Sequence, residues 1–293
     1  MHSLILRSLV MPLAAAIDSY AMPFTKRIKY RHNQFWEPAD AENIRNIPIS
    51  RYDHIDQITH IPNWQRMLSN KANSLYFAGK MGCKVPEVYW KGRNIDDIDF
   101  SLLPKQFVIK PTIGHSCNNV YLMDDGYNHM DKQIYKIEDL RGVMTSVLQQ
   151  SHQNEFIIEE FLRSEDGIYR IPLDYKVHTF NGEIACIEVI DRKAPSVGHV
   201  NVFDDKWNAV ENIGKKFIQG DNLTPPHCLD EIISQCRALS KVYKIYVRID
   251  FFATDKGAVF GEFTPTPGIG VGFTRKANYM LNRYWDTYCK GMI

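Results

Sequence analysis

Two carboxylates near the C-terminus, Asp250 and Glu262, lie in apolar runs typical of the two strands of a β-hairpin. The segment between the runs, Asp255-Lys256-Gly257, fits a three-residue loop whose final glycine adopts a positive φ. That loop pairs Thr254 with Ala258. Asp250 then lies directly opposite Glu262, with Cβ atoms ~5 Å apart. Carboxylates this close repel each other and lose solvation unless a cation lies between them, and a hard divalent cation such as Mg²⁺ would relieve the repulsion.

A two-residue turn is the alternative for this hairpin. It would place the two carboxylates on opposite faces of the ribbon and leave Glu262 as a surface residue. The three-residue loop also pairs Arg248 with Thr264, which sets a fixed positive charge and a hydroxyl beside the carboxylates. The hairpin residues alone leave both turns open.

A lysine ends another apolar run, in the segment FVIKPTIGHSCNNVYLM at residues 107–123. The residues after Lys110 include Gly114 and Ser116, which favour turns and exposed backbone donors. Such a loop can wrap an anion next to the lysine, or it can be an ordinary hairpin connection. Taken alone, the segment favours the ordinary connection.

An earlier hairpin is predicted around Asn181-Gly182, a dipeptide that strongly favours a two-residue turn. This turn pairs Lys176 with Ile187, so four polar side chains should project from one face of the ribbon: Asp174, Lys176, His178 and Asp191. Such a face suits a nucleotide, with a cation for the phosphates and a carboxylate for the ribose hydroxyls. It equally suits a solvated strand face, and His178 by itself is more often a hydrogen-bonded structural residue.

The elements that position these residues alternate without a regular βαβ repeat, which predicts an α+β fold. Residues 1–70 contain prolines at 12, 23, 38, 48 and 62 and few long periodic runs, so we expect an irregular segment. Helices are predicted over residues 73–81, 137–150, 229–243 and 276–290, and single strands over 85–90 and 155–162. Gly82 ends the first of these helices.

Composition limits the function classes. Of the 293 residues, 44% are hydrophobic and 24% charged, typical of a soluble globular protein, and a net charge of +1 predicts no nucleic-acid partner. The six scattered cysteines form no C-x-x-C pair, so reduced thiols are expected and not a zinc site. The N-terminus only weakly resembles a signal peptide, and we expect a cytoplasmic protein. The basic stretch Lys26 to Arg31 can contact an anionic lipid or a membrane-bound acceptor, although a solvated face is the favoured interpretation.

Five segments in order resemble the ATP-grasp superfamily, and most closely its TupA-like branch, named for teichuronopeptide biosynthesis. They are LPKQFVIKP, IIEEFL, DYKVHTFNG, VRIDFF and FGEFTPTPG, within about residues 70–275. The resemblance implies two α+β subdomains that clasp ATP. We predict an irregular or helical N-terminal segment (1–70), a lid subdomain (71–163) and a C-terminal subdomain for metal and nucleotide (164–293).

The resemblance also implies which residues bind the nucleotide. The implied positions are Lys71, Lys110, Gly114, Ser116, Glu159, Glu160, Phe161, Leu162 and Asp174. The two lysines would contact the phosphates, and the loop that begins at Gly114 would be a lid with backbone donors. Glu159, with the backbone of its neighbours, would read the adenine edge. Asp174 would bind the ribose.

The implied metal ligands are Asp250, Glu262 and Thr264, the last at a position where many ATP-grasp enzymes have asparagine. Arg248 would steady an acylphosphate, and Lys176, Asp191 and Arg192 fit the TupA-like pattern, the first two as catalytic residues. The glycine-rich stretch 267–272 would shape the acceptor pocket. The implied cofactors are ATP and Mg²⁺, with Mn²⁺ as an alternative.

The resemblance therefore implies an ATP-dependent ligase. It would join a carboxylate, such as a sugar acid or a cell-surface polysaccharide, to an amine or amino acid through an acylphosphate. A kinase that phosphorylates a hydroxyl is the second hypothesis, and it needs a general base, for which Asp191 or His178 could serve. A non-catalytic nucleotide-binding module is the third, and the intact Lys110 and Glu262 argue against it.

Overall fold

The computed structural model describes residues 23–50 and 52–289. It contains two antiparallel sheets with helices packed on them, so the α+β class is confirmed. The helices are α1 Phe24–Trp36, α2 Ala41–Arg45, α3 Ile55–Thr59, α4 Lys71–Lys80, α5 Ile137–Gln150, α6 Leu229–Tyr243 and α7 Arg275–Tyr288. Short 3₁₀ helices occupy Trp64–Ser69, Ile95–Asp97, Phe100–Leu102 and Pro267–Gly270.

The first sheet, called the lid sheet, has the strand order β1-β6-β2-β3-β4-β5. Its strands are β1 Val88–Gly92, β2 Gln106–Pro111, β3 Tyr121–Asp124, β4 Tyr127–Asn128, β5 Gln133–Ile134 and β6 Phe156–Glu160. Helix α5 covers one face with Leu140, Met144 and Leu148, whose four-residue spacing forms a single apolar stripe. The other face carries Lys110 and Glu159 towards the second sheet.

The second sheet, called the charged sheet, has the order β10-β9-β8-β7-β12-β13, and β11 pairs with β9. Its strands are β7 Asp174–Phe180, β8 Glu183–Ala194, β9 Val197–Phe203, β10 Ala209–Val210, β11 Ile218–Gln219, β12 Tyr246–Thr254 and β13 Gly257–Thr264. One face packs under α6, which buries Ile232, Cys236 and Leu239. Helices α1 and α7 pack on one end of the other face, around Phe180 and Tyr246. The space between the rest of that face and the lid sheet is called the cleft.

The segment before residue 70 is more regular than predicted. Phe24 at the start of α1 lies 5.1 Å from the ring of Tyr246 in β12 and 5.2 Å from Phe273. The inner face of α1 also buries two arginines of the predicted basic patch, Arg27 and Arg31. Because these arginines occupy core-facing positions, the apolar stripe was not visible in the sequence.

The interpretation of Lys26 to Arg31 as one solvated or lipid-binding face is therefore wrong. Arg27 pairs with Asp286 of α7 at 2.7 Å, and Arg31 donates to the backbone carbonyl of Tyr246. Burial lowers the pKa of Arg31. Of the basic residues in this stretch, Lys26 and Lys29 are exposed. Within the described residues, no helix has the length and apolar character needed to cross a membrane.

Helix α4, which was predicted as part of the lid subdomain, packs on the charged sheet. The ring of Phe77 lies 6.0 Å from Phe263 of β13 and 5.3 Å from Trp64 in the preceding 3₁₀ helix. The subdomain boundaries at residues 70 and 163 stay a prediction. What the packing shows is one core shared by the segment before residue 83 and the charged sheet.

The hairpin β12–β13 has the predicted pairing but not the predicted loop. Thr254 pairs with Gly257, so the turn contains only two residues. The register then shifts by one residue at Gly261, which is a β-bulge, and beyond it Asp250 pairs with Glu262. A Cβ at Gly261 would lie 3.0 Å from the backbone oxygen of Asp250, so glycine permits the bulge.

The hairpin β7–β8 has the predicted turn but not the predicted pairing. Phe180 pairs with Glu183 across Asn181-Gly182, but a register shift at Ala185 follows. Lys176 therefore pairs with Glu188 instead of Ile187. Asp191 consequently lies on the opposite face from Lys176, which corrects its predicted place in the site.

Candidate active site

Lys71 is positioned by a helix cap. The side chain of Asn70 accepts the backbone N–H of Ala72 at 3.0 Å and so starts α4 at Lys71. The backbone N–H of Lys71 donates to Thr112 at 2.9 Å, which ties the start of the helix to the end of β2. Its Nζ donates to the backbone oxygen of Gly114 at 2.9 Å. Burial lowers the pKa of Lys71, so this lysine is a desolvated cation at the edge of the cleft.

Lys110 and Glu159 form an ion pair on the cleft face of the lid sheet, with 2.5 Å between Nζ and Oε1. The second oxygen, Glu159 Oε2, is buried without a hydrogen-bond partner among the described residues. A buried acceptor of this kind is costly unless a donor reaches it. The pair therefore offers both a cation and an unused acceptor to a ligand.

The predicted lid loop, residues 114–119, has a left-handed backbone at three positions that are not glycine: Ser116 (φ 57°), Cys117 (φ 59°) and Asn119 (φ 57°). Such conformations are uncommon outside glycine. Burial raises the pKa of the Cys117 thiol, on which the charges of Arg192 and Asp174 also act. The loop therefore lies near Asp174 and Arg192 of the charged sheet, and its role as a lid stays a prediction.

Adenine recognition is less open than the resemblance implied. The backbone N–H of Glu160 donates to Glu87 at 2.8 Å, so it is not free to read a base. The Glu160 carboxylate pairs with Lys256 of the β12–β13 turn. Phe161 and Leu162 are buried, and Phe161 packs in a small core with Val108 of β2. Their predicted roles beside the base stay predictions.

Four charged side chains cross the charged sheet in one row. Successive pairings join Glu188 to Lys176, Lys176 to Asp250 and Asp250 to Glu262. Paired residues of antiparallel strands share a face, so the row lies entirely on the cleft side. Arg248 lies two residues before Asp250 and thus on the same face. The row brings together Lys176, Asp250 and Glu262 as predicted, and adds Glu188.

Two cations bind Asp250. Arg248 donates to both of its oxygens at 2.7 Å, and Lys176 Nζ lies 2.6 Å from Oδ2. The Asp250 side chain is only 3% exposed. Burial by itself would raise its pKa, but the charges of Arg248 and Lys176 outweigh burial and lower the pKa to about 2. Asp250 therefore stays ionised and also holds both cations in place.

Glu262 differs, because its side chain is 38% exposed. The cation that lies between it and Asp250 is the guanidinium of Arg248, 3.6 Å from Glu262 Oε1 and 2.7 Å from Asp250, and metal binding by Glu262 stays a prediction. Arg248 also donates to Thr264 Oγ1 at 2.9 Å. Carboxylate and hydroxyl oxygens are hard donors that suit Mg²⁺. In the described ranges no group of three or more His, Cys, Asp or Glu side chains forms a ready cluster for a metal.

Asp174 and Asp191 differ from their predicted settings. Asp174 is bound by Arg192 at 3.0 Å and by Lys176 at 3.3 Å, and ribose binding stays a prediction for it. Asp191 pairs with Lys193 at 2.8 Å on the far face of β8. The structure does not bring Asp191 to the other site residues, so its predicted catalytic role is wrong.

Sequence reasoning missed Glu188. His178 is completely buried, its Nε2 lies 2.9 Å from Glu188 Oε2, and its Nδ1 lies 3.0 Å from the hydroxyl of Tyr246. Nothing in the sequence marked the bulge at Ala185 that turns Glu188 towards the cleft. If a one-residue bulge is placed in β8, the alternation of side chains predicts that Glu188 lies on the same face as His178.

In the glycine-rich stretch 267–272, close packing explains why residue 270 is a glycine. A Cβ on Gly270 would lie 2.3 Å from the backbone oxygen of Thr25 at the start of α1. That glycine accommodates a neighbouring helix of the chain itself, not an acceptor as predicted. The expectation that the stretch lines the acceptor pocket is therefore wrong for Gly270.

A family model described as TupA-like ATPgrasp matches residues 51–284. No curated protein matches the chain. Among solved structures, D-alanine–D-alanine ligase from Bacillus anthracis is 17% identical, with 77% of this chain and 67% of that chain covered and a TM-score of 0.49.

Two further structures are similar at the same level. The ATP-grasp ligase PsnB complexed with its minimal precursor is 15% identical, with coverage of 77% and 62% and a TM-score of 0.44. D-cycloserine synthetase DcsG is 13% identical, with coverage of 78% and 73% and a TM-score of 0.46. The chain thus spans 62% of the length of PsnB and 67% of the B. anthracis ligase.

Proposed function

Because the chain belongs to the TupA-like ATP-grasp family, we propose that it is an ATP-dependent ligase that joins a carboxylate to an amine. The observation that carries the proposal is the arrangement of cations. Arg248 and Lys176 flank Asp250 on the charged sheet, Lys71 lies 4.0 Å from Glu262 of the same sheet, and Lys110 lies on the lid sheet. Four cations near the partly exposed carboxylate of Glu262 suit the phosphates of ATP and an acylphosphate formed from them.

The phosphate lysines are held by groups that a ligand can replace. Lys71 Nζ bonds to the Gly114 carbonyl and Lys110 to Glu159. Phosphate oxygens are stronger acceptors for an ammonium than a carbonyl, because such bonds are charge-assisted. When Lys110 turns to a phosphate, Glu159 is left with two free oxygens. A donor such as the adenine amino group would then satisfy Glu159.

Glu262, Thr264 and Asp250 would hold Mg²⁺ or Mn²⁺, both of which take oxygen ligands, and the metal would neutralise charge on the β- and γ-phosphates. Arg248 keeps its charge at all relevant pH values, and the charge of Asp250 raises its pKa against the effect of burial. Together with Lys176, Arg248 would stabilise the negative charge of the transition state that leads to the acylphosphate. The buried Asp250 fixes the direction of both cations.

The carboxylate substrate that we propose is a sugar acid or an acidic cell-surface polysaccharide, and the amine an amino acid. Phe217 supports this choice, because Arg192 lies 5.7 Å and Lys216 lies 5.1 Å from the centre of its ring. An aromatic ring flanked by cations suits the apolar face and the carboxylate of a sugar acid. We also propose the cytoplasm as the location, since ATP is available there.

The kinase hypothesis loses the two general bases that were predicted for it. His178 is buried with both ring nitrogens bonded, and Asp191 faces away from Lys176. A hydroxyl acceptor at the charged row would therefore find neither residue within reach. The ligase needs no such base for its first step, because a carboxylate is already ionised.

Release of ADP and phosphate by purified protein with MgATP tests the proposal. Glucuronate and the common amino acids would be supplied singly and together, with Lys110→Ala and Glu262→Gln as variants. Lys105→Ala is a matched control, because Lys105 is an exposed lysine next to β2 that pairs with Asp125. We expect release that requires both substrates, is lost in the two variants and persists in the control. ADP formed with a hydroxyl acceptor alone would contradict the ligase and indicate a kinase.

A further inference from the structure

A ligase of this kind also needs a place for its amine, and one carboxylate of the charged row has no assigned role. Glu188 stands at the end of the row opposite to Glu262, with Lys176 and Asp250 between them. Neighbouring strands are ~4.8 Å apart, so the two glutamates are separated by roughly 14 Å along the row. This distance leaves room for the phosphates near Glu262 and for a second substrate near Glu188.

The side chain of Glu188 is held from behind by a hydrogen-bonded chain. The hydroxyl of Tyr246 lies 3.0 Å from Nδ1 of His178, and Nε2 of His178 lies 2.9 Å from Glu188 Oε2. Burial raises the pKa of Tyr246, so its hydroxyl keeps its proton. The network assigns the tautomer: Tyr246 donates to Nδ1, and the Nε2–H of His178 donates to Glu188. Burial by itself would raise the pKa of Glu188, but the hydrogen bond from His178 and the charges of Arg248 and Lys176 lower it, so Glu188 keeps its negative charge.

The other oxygen of Glu188, Oε1, lies beside Gly214. A Cβ on Gly214 would lie 3.4 Å from Oε1, so a larger residue at position 214 would crowd the carboxylate. No described group donates a hydrogen bond to Oε1, and the Glu188 side chain is 15% exposed. The Gly214 segment is fixed in turn, because Lys215 N–H donates to Gly272 at 2.9 Å. One oxygen is thus anchored while the other is available to a ligand.

Lys176 helps to lower the pKa of Glu188, but its ion pairs are with other carboxylates. The ammonium of Lys176 lies 2.6 Å from Asp250 and 3.3 Å from Asp174. Both of these contacts direct it away from Glu188 along the face. The free carboxylate oxygen therefore suits a cation from outside the protein.

We propose that Glu188 binds the ammonium group of the amine substrate and accepts its proton, a proposal that rests on the ligase function. One N–H proton passes to Glu188, and the nitrogen lone pair forms the C–N bond with the acylphosphate carbon. The C–O bond then breaks, and its electron pair leaves with phosphate. The second proton passes from nitrogen to the departing phosphate, and Glu188 returns its proton to solvent. Tyr246 and His178 are positioning residues for this carboxylate.

Glu188→Gln tests the proposal, because glutamine can still accept the bond from His178 but carries no charge. The assay compares two nucleophiles with MgATP and glucuronate. One is an amino acid, whose amino group is a charged ammonium near neutral pH. The other is hydroxylamine, which is uncharged near neutral pH. Hydroxylamine traps an acylphosphate as a hydroxamate. Glu183→Gln is the matched control, since Glu183 lies at the far end of the same strand beside the turn.

We expect Glu188→Gln to raise KM and lower kcat/KM for the amino acid by ~10- to 100-fold, the usual effect of losing a bond to a charged group, with hydroxamate formation unchanged. Glu188→Asp should recover part of the loss. Equal loss of both products, or of neither, overturns the proposal. A wild-type protein that forms hydroxamate but no amide also overturns it, although the acylphosphate step stands. A wild-type protein that forms neither product refutes the ligase function, and the role of Glu188 with it.

Discussion

Two hairpins of the charged sheet, β7–β8 and β12–β13, have turns of equal length, and each contains one bulge near its turn. In β7–β8 the turn is Asn181-Gly182 and the bulge lies at Ala185; in β12–β13 the turn is Asp255-Lys256 and the bulge lies at Gly261. One extra residue moves every later side chain to the other face. A hairpin turn therefore determines the pairing only as far as the first bulge.

The two bulges differ in whether the sequence marks them. Glycine inside a strand often marks a bulge, and Gly261 is such a glycine. The predicted three-residue loop made the same one-residue shift at the turn, so the pairing of Asp250 with Glu262 was right for the wrong reason. Ala185 has no such mark, so the first hairpin was predicted without its bulge.

The largest expected effect on stability distinguishes Asp250, which lies in the site, from Asp191, which lies on the far face of β8. Asp250→Asn leaves Arg248 and Lys176 buried without their shared counter-charge, so the free energy of unfolding should fall by about 3–5 kcal/mol. Asp191→Asn removes a half-exposed partner of Lys193 on the far face and should change it by less than about 1 kcal/mol. Urea unfolding monitored by circular dichroism measures both. Similar losses in the two variants would mean that both aspartates belong to the site.

The bulges themselves should differ in their tolerance of a methyl group. Gly261→Ala introduces a Cβ 3.0 Å from the backbone oxygen of Asp250 and 3.1 Å from the ring of Phe252. We expect a loss of about 1–3 kcal/mol, as for other overpacked sites. Ala185→Gly, at the bulge that already accommodates a side chain, should cost only about 1 kcal/mol. Thermal denaturation of the two variants tests the order, and a more damaging Ala185→Gly would contradict it.

Acid should weaken the second hairpin through Asp250. Its pKa is lowered from 3.8 to about 2 in the folded chain, because Arg248 and Lys176 stabilise the ionised form more than burial disfavours it. A lowered carboxyl pKa contributes stability that is complete above pH ~4 and is lost as the pH falls through about 2. Urea midpoints measured between these pH values should fall less steeply in Asp250→Asn than in the wild type. Parallel curves would show that another group controls acid unfolding.

The smallest expected change in stability is that of Glu262→Gln. The Glu262 side chain is 38% exposed and 4.0 Å from the Lys71 ammonium, so the free energy of unfolding should change by less than about 1 kcal/mol. Production of ADP should nevertheless be lost, because the open carboxylate is the proposed metal ligand. A stable variant that keeps full activity would remove Glu262 from the site. Melting temperature and ADP release, measured on one preparation, give both results.

Some elements could be predicted from sequence because their pattern is local. Helices α5 and α6 have the predicted bounds, since both show apolar residues at helical spacing. Helix α1 was not predicted, because Arg27 and Arg31 occupy core positions that the pattern assigns to apolar residues.

The site also contains residues that the sequence pattern predicts and residues that it does not. Lys71, Lys110 and Glu262 surround the cleft as the motifs indicated, and each adjoins a recognisable cap, loop or hairpin. Glu188 was missed and Asp191 misplaced, because both depend on the bulge at Ala185. Arg248 was not expected to bind both oxygens of Asp250, since the position of a long side chain between two strands is a property of packing and not of spacing.

The central claim is that the carboxylate substrate attacks ATP to form an acylphosphate. The most direct measurement supplies that carboxylate labelled with ¹⁸O, together with MgATP and the amine, and analyses the released phosphate by ³¹P NMR. The account predicts that the phosphate carries one ¹⁸O atom from the carboxylate. Unlabelled phosphate, or release of pyrophosphate instead, would contradict it.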